Sequence, residues 1–477
     1  MLKRASLLFT ALFFISIPLK AQSESEIKSL KFGLANYLNL SSFDAELPFW
    51  LHNQKFGKVD QSSANTLIYG ALESELYSKD YFSIRAGGDL VGRISENSVL
   101  FLNQMYVKFD LGSVKLSGGR FYNPLALKED ELSTGSFTIS RNATPIPKIA
   151  LYTDGFVAVP GTNEILNISG LVSHGWFTDN RFTNNAYLHQ KYLYLGIRYA
   201  FFYAKGGVIH NVQWAGSNEV NGNLPNSFPD FLEAAFAIGS SDSEAPRGEQ
   251  TNALGNSVAA YDFSLELFLK STYVKINRLF YLEDKVSSRF RSPWDGIWGL
   301  SLKPKDTELI TSFLYEHINT KRQDSFDFEP YGTASYYNHF IYRTGWTYEG
   351  RVIGNSLLLT DGTKDQPIYN NIIVAHHLGV TGKLPFQMGY KLLYTYSRNY
   401  GEVQDQIISQ TSETGPVIGV LRPLEELKKI NHSFLLDFEK RLASVPQITF
   451  GAGVAIDMGE LYEDRVGISF NIHYQLH

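Results

Sequence analysis

The 477-residue chain carries 43 Lys and Arg against 48 Asp and Glu, a formal charge of −5, and no cysteine. An acidic balance with scattered basic residues excludes nucleic acid as the main partner. The missing thiols exclude a disulfide framework and a lipid anchor through an N-terminal cysteine.

Lys3 and Arg4 open the chain, and Ala5 to Pro18 form an apolar run too short to span as a stable helix. Leu19-Lys20-Ala21 then offers a cut before Gln22. Residues 1–21 therefore read as a secretory signal peptide, leaving 22–477 as one exported domain. After it, no apolar run reaches the length of a transmembrane helix.

Aromatic residues make up 14% of the chain, with 28 Tyr and 33 Phe, and the chain beyond Gln22 alternates between apolar and polar positions. Phe82, Ile84, Ala86 and Leu90 oppose Ser83, Arg85, Gly87 and Asp89. Met105, Val107, Phe109 and Leu111 oppose Gln104, Tyr106, Lys108 and Asp110, and Gly112-Ser113 supplies a hairpin turn. The same period runs through Leu193 to Tyr199 and Met388 to Ser397, where Leu393 breaks it. Successive side chains of a strand face opposite ways, so each segment presents an apolar and a polar face. An exported, aromatic-rich chain of this kind predicts an all-β fold: a single transmembrane antiparallel β-barrel of the outer membrane with about 18 strands.

The longest irregular stretch, 216–256, predicts a long extracellular loop, and a barrel plugged by it should conduct little. Within it PDFLEAAFAI predicts a short helix capped by Asp230, and PLEELKKI from Pro423 predicts a turn or two more. The chain ends on RVGISFNIHYQLH, where Val466, Ile468, Phe470, Ile472, Tyr474 and Leu476 share one face. Pairing that strand with a first strand in the 32–51 region would remove its free edge.

Several blocks resemble a known family. ELPFWLHNQKFGKV (46–59), STGSFTISRNATPIPKI (133–149), YLHQKYLYLG (187–196) and GEQTNALGN (248–256) are similar to the capsule assembly Wzi family, in its Bacteroidetes-type branch. YEHINTKRQD (315–324), GWTYEGRVIGNSLL (345–358), IVAHHLGVTG (373–382) and YTYSRNYG (394–401) continue the set in the family's order. The resemblance implies an 18-stranded outer-membrane barrel that acts as a lectin, retaining capsular polysaccharide at the cell surface. The enterobacterial branch adds a periplasmic helical bundle. Here only SESEIKSLKFG precedes the first strand-like region, so no such bundle is expected.

The chain offers several candidate polysaccharide-binding residues. Arg141 and Asn142 are donors beside Pro145 and Pro147, which cannot donate to a sheet ladder. Lys191, Glu316, Glu349, Arg351 and Arg398 are charged residues of the resemblance blocks. Flat aromatic platforms for sugar rings come from Trp346, with Trp176, Trp214, Trp294 and Tyr348 as further choices. His377 is a further candidate: alternation sends it to the lumen and His376 outward, so the pair cannot share a metal. Ser173-His174 and His432-Ser433 lack a nucleophile motif, so no catalytic residue, metal or cofactor is expected. The expected partners are capsular or other surface polysaccharide and outer-membrane lipid. The alternative is a porin-like channel for small anionic or sugar solutes.

Overall fold

The structure is a computed structural model describing residues 30–42, 45–127, 131–283, 287–325, 329–410 and 418–476. The expected signal peptide lies outside them. Eighteen long strands form the wall. They begin with β1 (Leu30–Ser41), β2 (Ala64–Lys79), β3 (Phe82–Ile94), β4 (Val99–Leu111), β5 (Val114–Arg120) and β6 (Pro147–Thr153). Next come β7 (Leu166–Trp176), β8 (Tyr187–Tyr199), β9 (Phe202–Trp214), β10 (Asn256–Phe268), β11 (Thr272–Leu282) and β12 (Gly296–Pro304). The last are β13 (Ser312–Asn319), β14 (Ile373–Leu384), β15 (Met388–Asn399), β16 (Lys429–Arg441), β17 (Ile448–Gly459) and β18 (Arg465–Leu476).

Each strand pairs antiparallel with its chain neighbours, and Val157–Ala158 adds a two-residue bridge against β7. β18 returns to β1, with Phe32 opposite Leu476 and Ser41 opposite Gly467, so the sheet closes. The terminal alternation is thus the closing stave. The first strand ends earlier than expected: β1 stops at Ser41, and Phe49–His52 is a helical turn, α1, following Pro48.

Parity sorts the wall as the sequence predicts. Val172, Leu193, Leu195 and Val208 are exposed on the outside, while Asp89, Asn103, Ser117 and Ser169 are buried on the inside. At one end the connections are tight, with Asp80 and Gly112 in left-handed turn conformations at φ 49° and 62°. Near that end, opposite charges cross-brace the lumen. Arg85 lies 2.7 Å from Asp110, and Lys115 lies 2.8 Å from Asp154. At the other end the loops are long, notably those between β5 and β6, β9 and β10, and β13 and β14.

The lumen is filled by the 45–60, 131–146 and 331–358 segments, whose apolar side chains join the wall in one buried cluster. Strand residues hold this plug from below. Glu316 accepts hydrogen bonds from the Ser133 hydroxyl (2.6 Å) and the Thr134 amide and hydroxyl (2.9 Å each). His377 Nε2 lies 2.6 Å from the Leu132 carbonyl, and Nδ1 lies 2.8 Å from Thr395. Gly379 leaves room for Leu132: an added Cβ would lie 2.7 Å from the leucine's own Cβ. Within the plug, Tyr337 donates to the Phe137 carbonyl (2.6 Å) and Trp346 Nε1 to the Thr138 carbonyl (2.7 Å).

The loop between β9 and β10 is not what fills the lumen: Leu224 joins the main cluster, while the loop's helix packs on the outside of the wall. Its helix α2 (Phe228–Ala235) sets Ala234 and Phe231 against Val212 and Trp214. Both of these share the outward parity of exposed Val208. The helix is capped by Ser227 rather than Asp230. Asp230 stands three residues in, and its carboxylate accepts from the Ser227 amide at 2.7 Å, closing a capping box.

Glu249, in the short helix α3 (Arg247–Thr251) of this loop, is buried and accepts from the Gly255 amide at 3.2 Å. Burial raises its carboxyl to about 7, overcoming that hydrogen bond. A raised acid pKa favours folding while the group is protonated. This contribution is lost as pH rises from the ordinary carboxyl range through about 7. The loop is therefore expected to be cut by protease faster at pH 8.5 than at pH 6, and Glu249→Gln to flatten that dependence. The full linkage is about 3.4 kcal/mol at most, and about 1.4 kcal/mol of it falls between pH 6 and 8.5. Identical pH profiles for the two proteins would refute it.

Candidate functional site

A groove of about 1430 Å³ opens at the loop end above the plug. Its floor is made of buried polar residues: His52 and Asn53 from α1 and its cap, Asn142 and Thr144, and Ser356. The rim comes from the β1–β2, β3–β4, β13–β14 and β17–β18 loops. By contrast, the cavity lower in the lumen, beside Glu316, Asp262 and Asn277, holds about 110 Å³. That is room for a few waters rather than a solute path.

The groove's arginines are already engaged. Arg351 donates to the His52 carbonyl at 3.2 Å and to the Val59 carbonyl, tying the β13–β14 loop to the β1–β2 loop. Burial, with Arg93 nearby, lowers Arg351 to about 10, so it stays charged at neutral pH. Arg93 lies 3.3 Å from Asp60, and Arg465 lies 2.9 Å from Asp457 and 3.1 Å from Glu46. Burial opposes ionisation of Asp60. Hydrogen bonds from Ser95, Asn65 and Ser62, with Arg93, outweigh it and hold the carboxyl below its ordinary value. His52 is held well below its ordinary value by burial, then by Arg351 and Arg465, and is neutral. Its Nδ1 is buried without a hydrogen-bond partner.

Acceptors are in surplus. Glu46, Asp60, Glu96, Glu349, Asp361 and Glu463 line the groove against Arg93, Arg351 and Arg465. Glu96 and Glu463 have no ion-pair partner among the described residues. Two aromatic rings also line the groove. Tyr369 is exposed, and Tyr462 is half-buried with the Arg465 guanidinium 4.6 Å from its centroid.

The predicted residues divide by position. Asn142, Glu349 and Arg351 line the groove. Glu349 accepts from Thr144 (2.7 Å) and pairs with Arg120 (3.3 Å), while Asn142 donates to the Val352 carbonyl (3.1 Å). Glu316, His377 and Trp346 are fully or almost fully buried around the plug. Tyr348 is equally buried, its hydroxyl bonded to Arg120 and Thr178. The Arg141 carbonyl accepts from the Phe56 amide, and its side chain does not line the groove. Lys191 and Arg398 lie on the outward parity of β8 and β15, as do Trp176 and Trp214 on β7 and β9. Trp294 is exposed in the β11–β12 loop. Sequence reasoning missed Tyr369, Asp361, Tyr462 and Glu463. They sit in short loop segments without periodicity, and only the Asp361-Gly362 turn signal pointed there.

A closed wall with an apolar outer face, tight turns at one end and long loops at the other defines an integral outer-membrane β-barrel. The family model described as capsule assembly protein Wzi matches residues 51–362, and the chain belongs to that family. Among solved structures the chain is similar to Wzi of Escherichia coli, an outer-membrane protein involved in group 1 capsule assembly and a carbohydrate-binding β-barrel. That match has 12% identity and a TM-score of 0.56, covering 93% of this chain and 83% of that one. OccK5 (OpdH) of Pseudomonas aeruginosa matches at 9% identity and a TM-score of 0.48, over 94% and 97% of the two chains. OpdQ of the same species matches at 9% identity and a TM-score of 0.47, over 94% and 98%. No curated protein matches the chain.

Proposed function

We propose that this barrel binds surface polysaccharide non-covalently in the loop-end groove and so retains it at the cell. The observation that carries the reading is a large open groove whose floor is the plug itself. A chain-like ligand can lie across it without entering the lumen. Carboxylates accept hydrogen bonds from sugar hydroxyls, and the exposed ring of Tyr369 offers flat apolar surface to the C–H side of a ring. Because its arginines are spoken for, the groove suits a glycan rich in hydroxyl groups better than a strongly anionic one. The Wzi family relationship supports the same reading.

The test is a pull-down of the producing cell's polysaccharide by the refolded barrel, alongside single-channel recording. Binding with little conductance is expected. A steady open-channel current without binding would favour the porin-like alternative and overturn the reading.

A further inference from the structure

The outside of the barrel carries a feature that glycan binding does not use. Helix α2 is apolar on two faces. Phe231 and Ala234 face the wall, where Phe231 lies 5.1 Å from His189 and 5.5 Å from Trp214 between ring centroids. On an adjoining face Phe228, Leu232 and Phe236, spaced i, i+4, i+8, are 72%, 40% and 69% exposed, and Ile238 beyond them is 51% exposed. Asp230 and Glu233 take the rest of the circumference, so the helix sets one apolar side on the wall and leaves a second one open.

The position of the helix identifies what covers it. Lys191 points outward from β8 and donates to the carbonyl of Ala235 at the helix C-terminus. Its ammonium also lies 4.9 Å from the Phe236 ring centroid. Two residues along the same outward row stands Leu193, then Leu195, both exposed in the wall's apolar band. A two-residue step along a strand is about 7 Å, so Phe236 lies immediately above that band and continues it. Lys191 is thus committed to the helix end, where a cation suits the free carbonyls.

We infer that α2 is a membrane-interface helix, with Phe228, Leu232 and Phe236 seated in the outer leaflet and the polar remainder of the loop toward solvent. It raises the apolar belt on the β7–β9 side, whereas the rim of the groove comes from the β1–β2, β3–β4, β13–β14 and β17–β18 loops.

The chain has no cysteine, so single-cysteine spin labels report one site each. Labels at Phe228→Cys and Phe236→Cys would be compared in phosphatidylcholine/phosphatidylglycerol vesicles with Leu195→Cys in the wall and Ser241→Cys in the loop. Both helix labels are expected to share the signature of Leu195: collisions with oxygen favoured several-fold over collisions with a water-soluble nickel chelate. The inference is overturned if they match Ser241. It is equally overturned if they are shielded from both agents in proportion to protein concentration, which would mean a second copy of the chain covers the face.

Discussion

Trp346→Ala is expected to leave the wall intact and unfasten the plug. Trp346 is fully buried at the centre of the plug, in the cluster that also holds Tyr336, Tyr337 and Tyr348. Its indole is the donor to the Thr138 carbonyl, which joins the β13–β14 loop to the β5–β6 loop. Removing a buried tryptophan costs about 3–5 kcal/mol, and the stranded carbonyl adds to the loss. None of this touches the hydrogen-bond ladders, so heat-modifiable migration should match the parent. Protease should now cleave between residues 333 and 358, and single-channel current should rise. A variant as protease-resistant and as silent as its parent would show that Trp346 does not fasten the plug. This residue is therefore a poor probe of glycan contact, because its loss would disturb the groove from beneath.

Tyr369→Ala is expected to give the largest loss of polysaccharide retention with no effect on folding. The ring is 46% exposed and lines the groove, as Glu46, Asp361 and Arg465 also do. Truncating an aromatic residue that anchors a bound partner costs about 2 kcal/mol, roughly a 30-fold loss of affinity. Tyr369→Phe keeps the apolar face and should retain most of the binding. Arg351→Ala offers a contrast, since Arg351 holds the His52 and Val59 carbonyls rather than a free position for ligand. It should weaken retention by loosening the groove's shape, and faster proteolysis of the 52–59 segment should accompany the loss. Parental retention by Tyr369→Ala would rule this ring out as a platform.

The wall was readable because alternation is a property of each strand alone. Leu193 and Leu195 outside, Asp89 inside and the closing strand from Arg465 all come from a period of two. The same rule set His376 and His377 on opposite faces. The plug was not readable, because its segments have no period and take their meaning from partners far along the chain. Trp346 has the chemistry of a sugar platform, yet its ring is core. Glu316 and His377 point inward as alternation requires, but sequence does not reveal that loop backbone rather than ligand meets them. The loop between β9 and β10 was legible only in part for a related reason. Its length was plain, while the apolar surfaces of α2 and of Val212 and Trp214, which set the helix against the outer wall, have no signature in the loop's length.

The plug's fastenings join residues remote in sequence: Tyr337 to Phe137 spans 200 positions and Trp346 to Thr138 spans 208. Closing loops of that size is entropically expensive until the intervening strands shorten the effective path. Zipping β6 to β13 together first brings the two segments into reach of each other. Geometry thus favours an order, wall first and stopper last, in which the newborn barrel passes through a stage when it is still a hole.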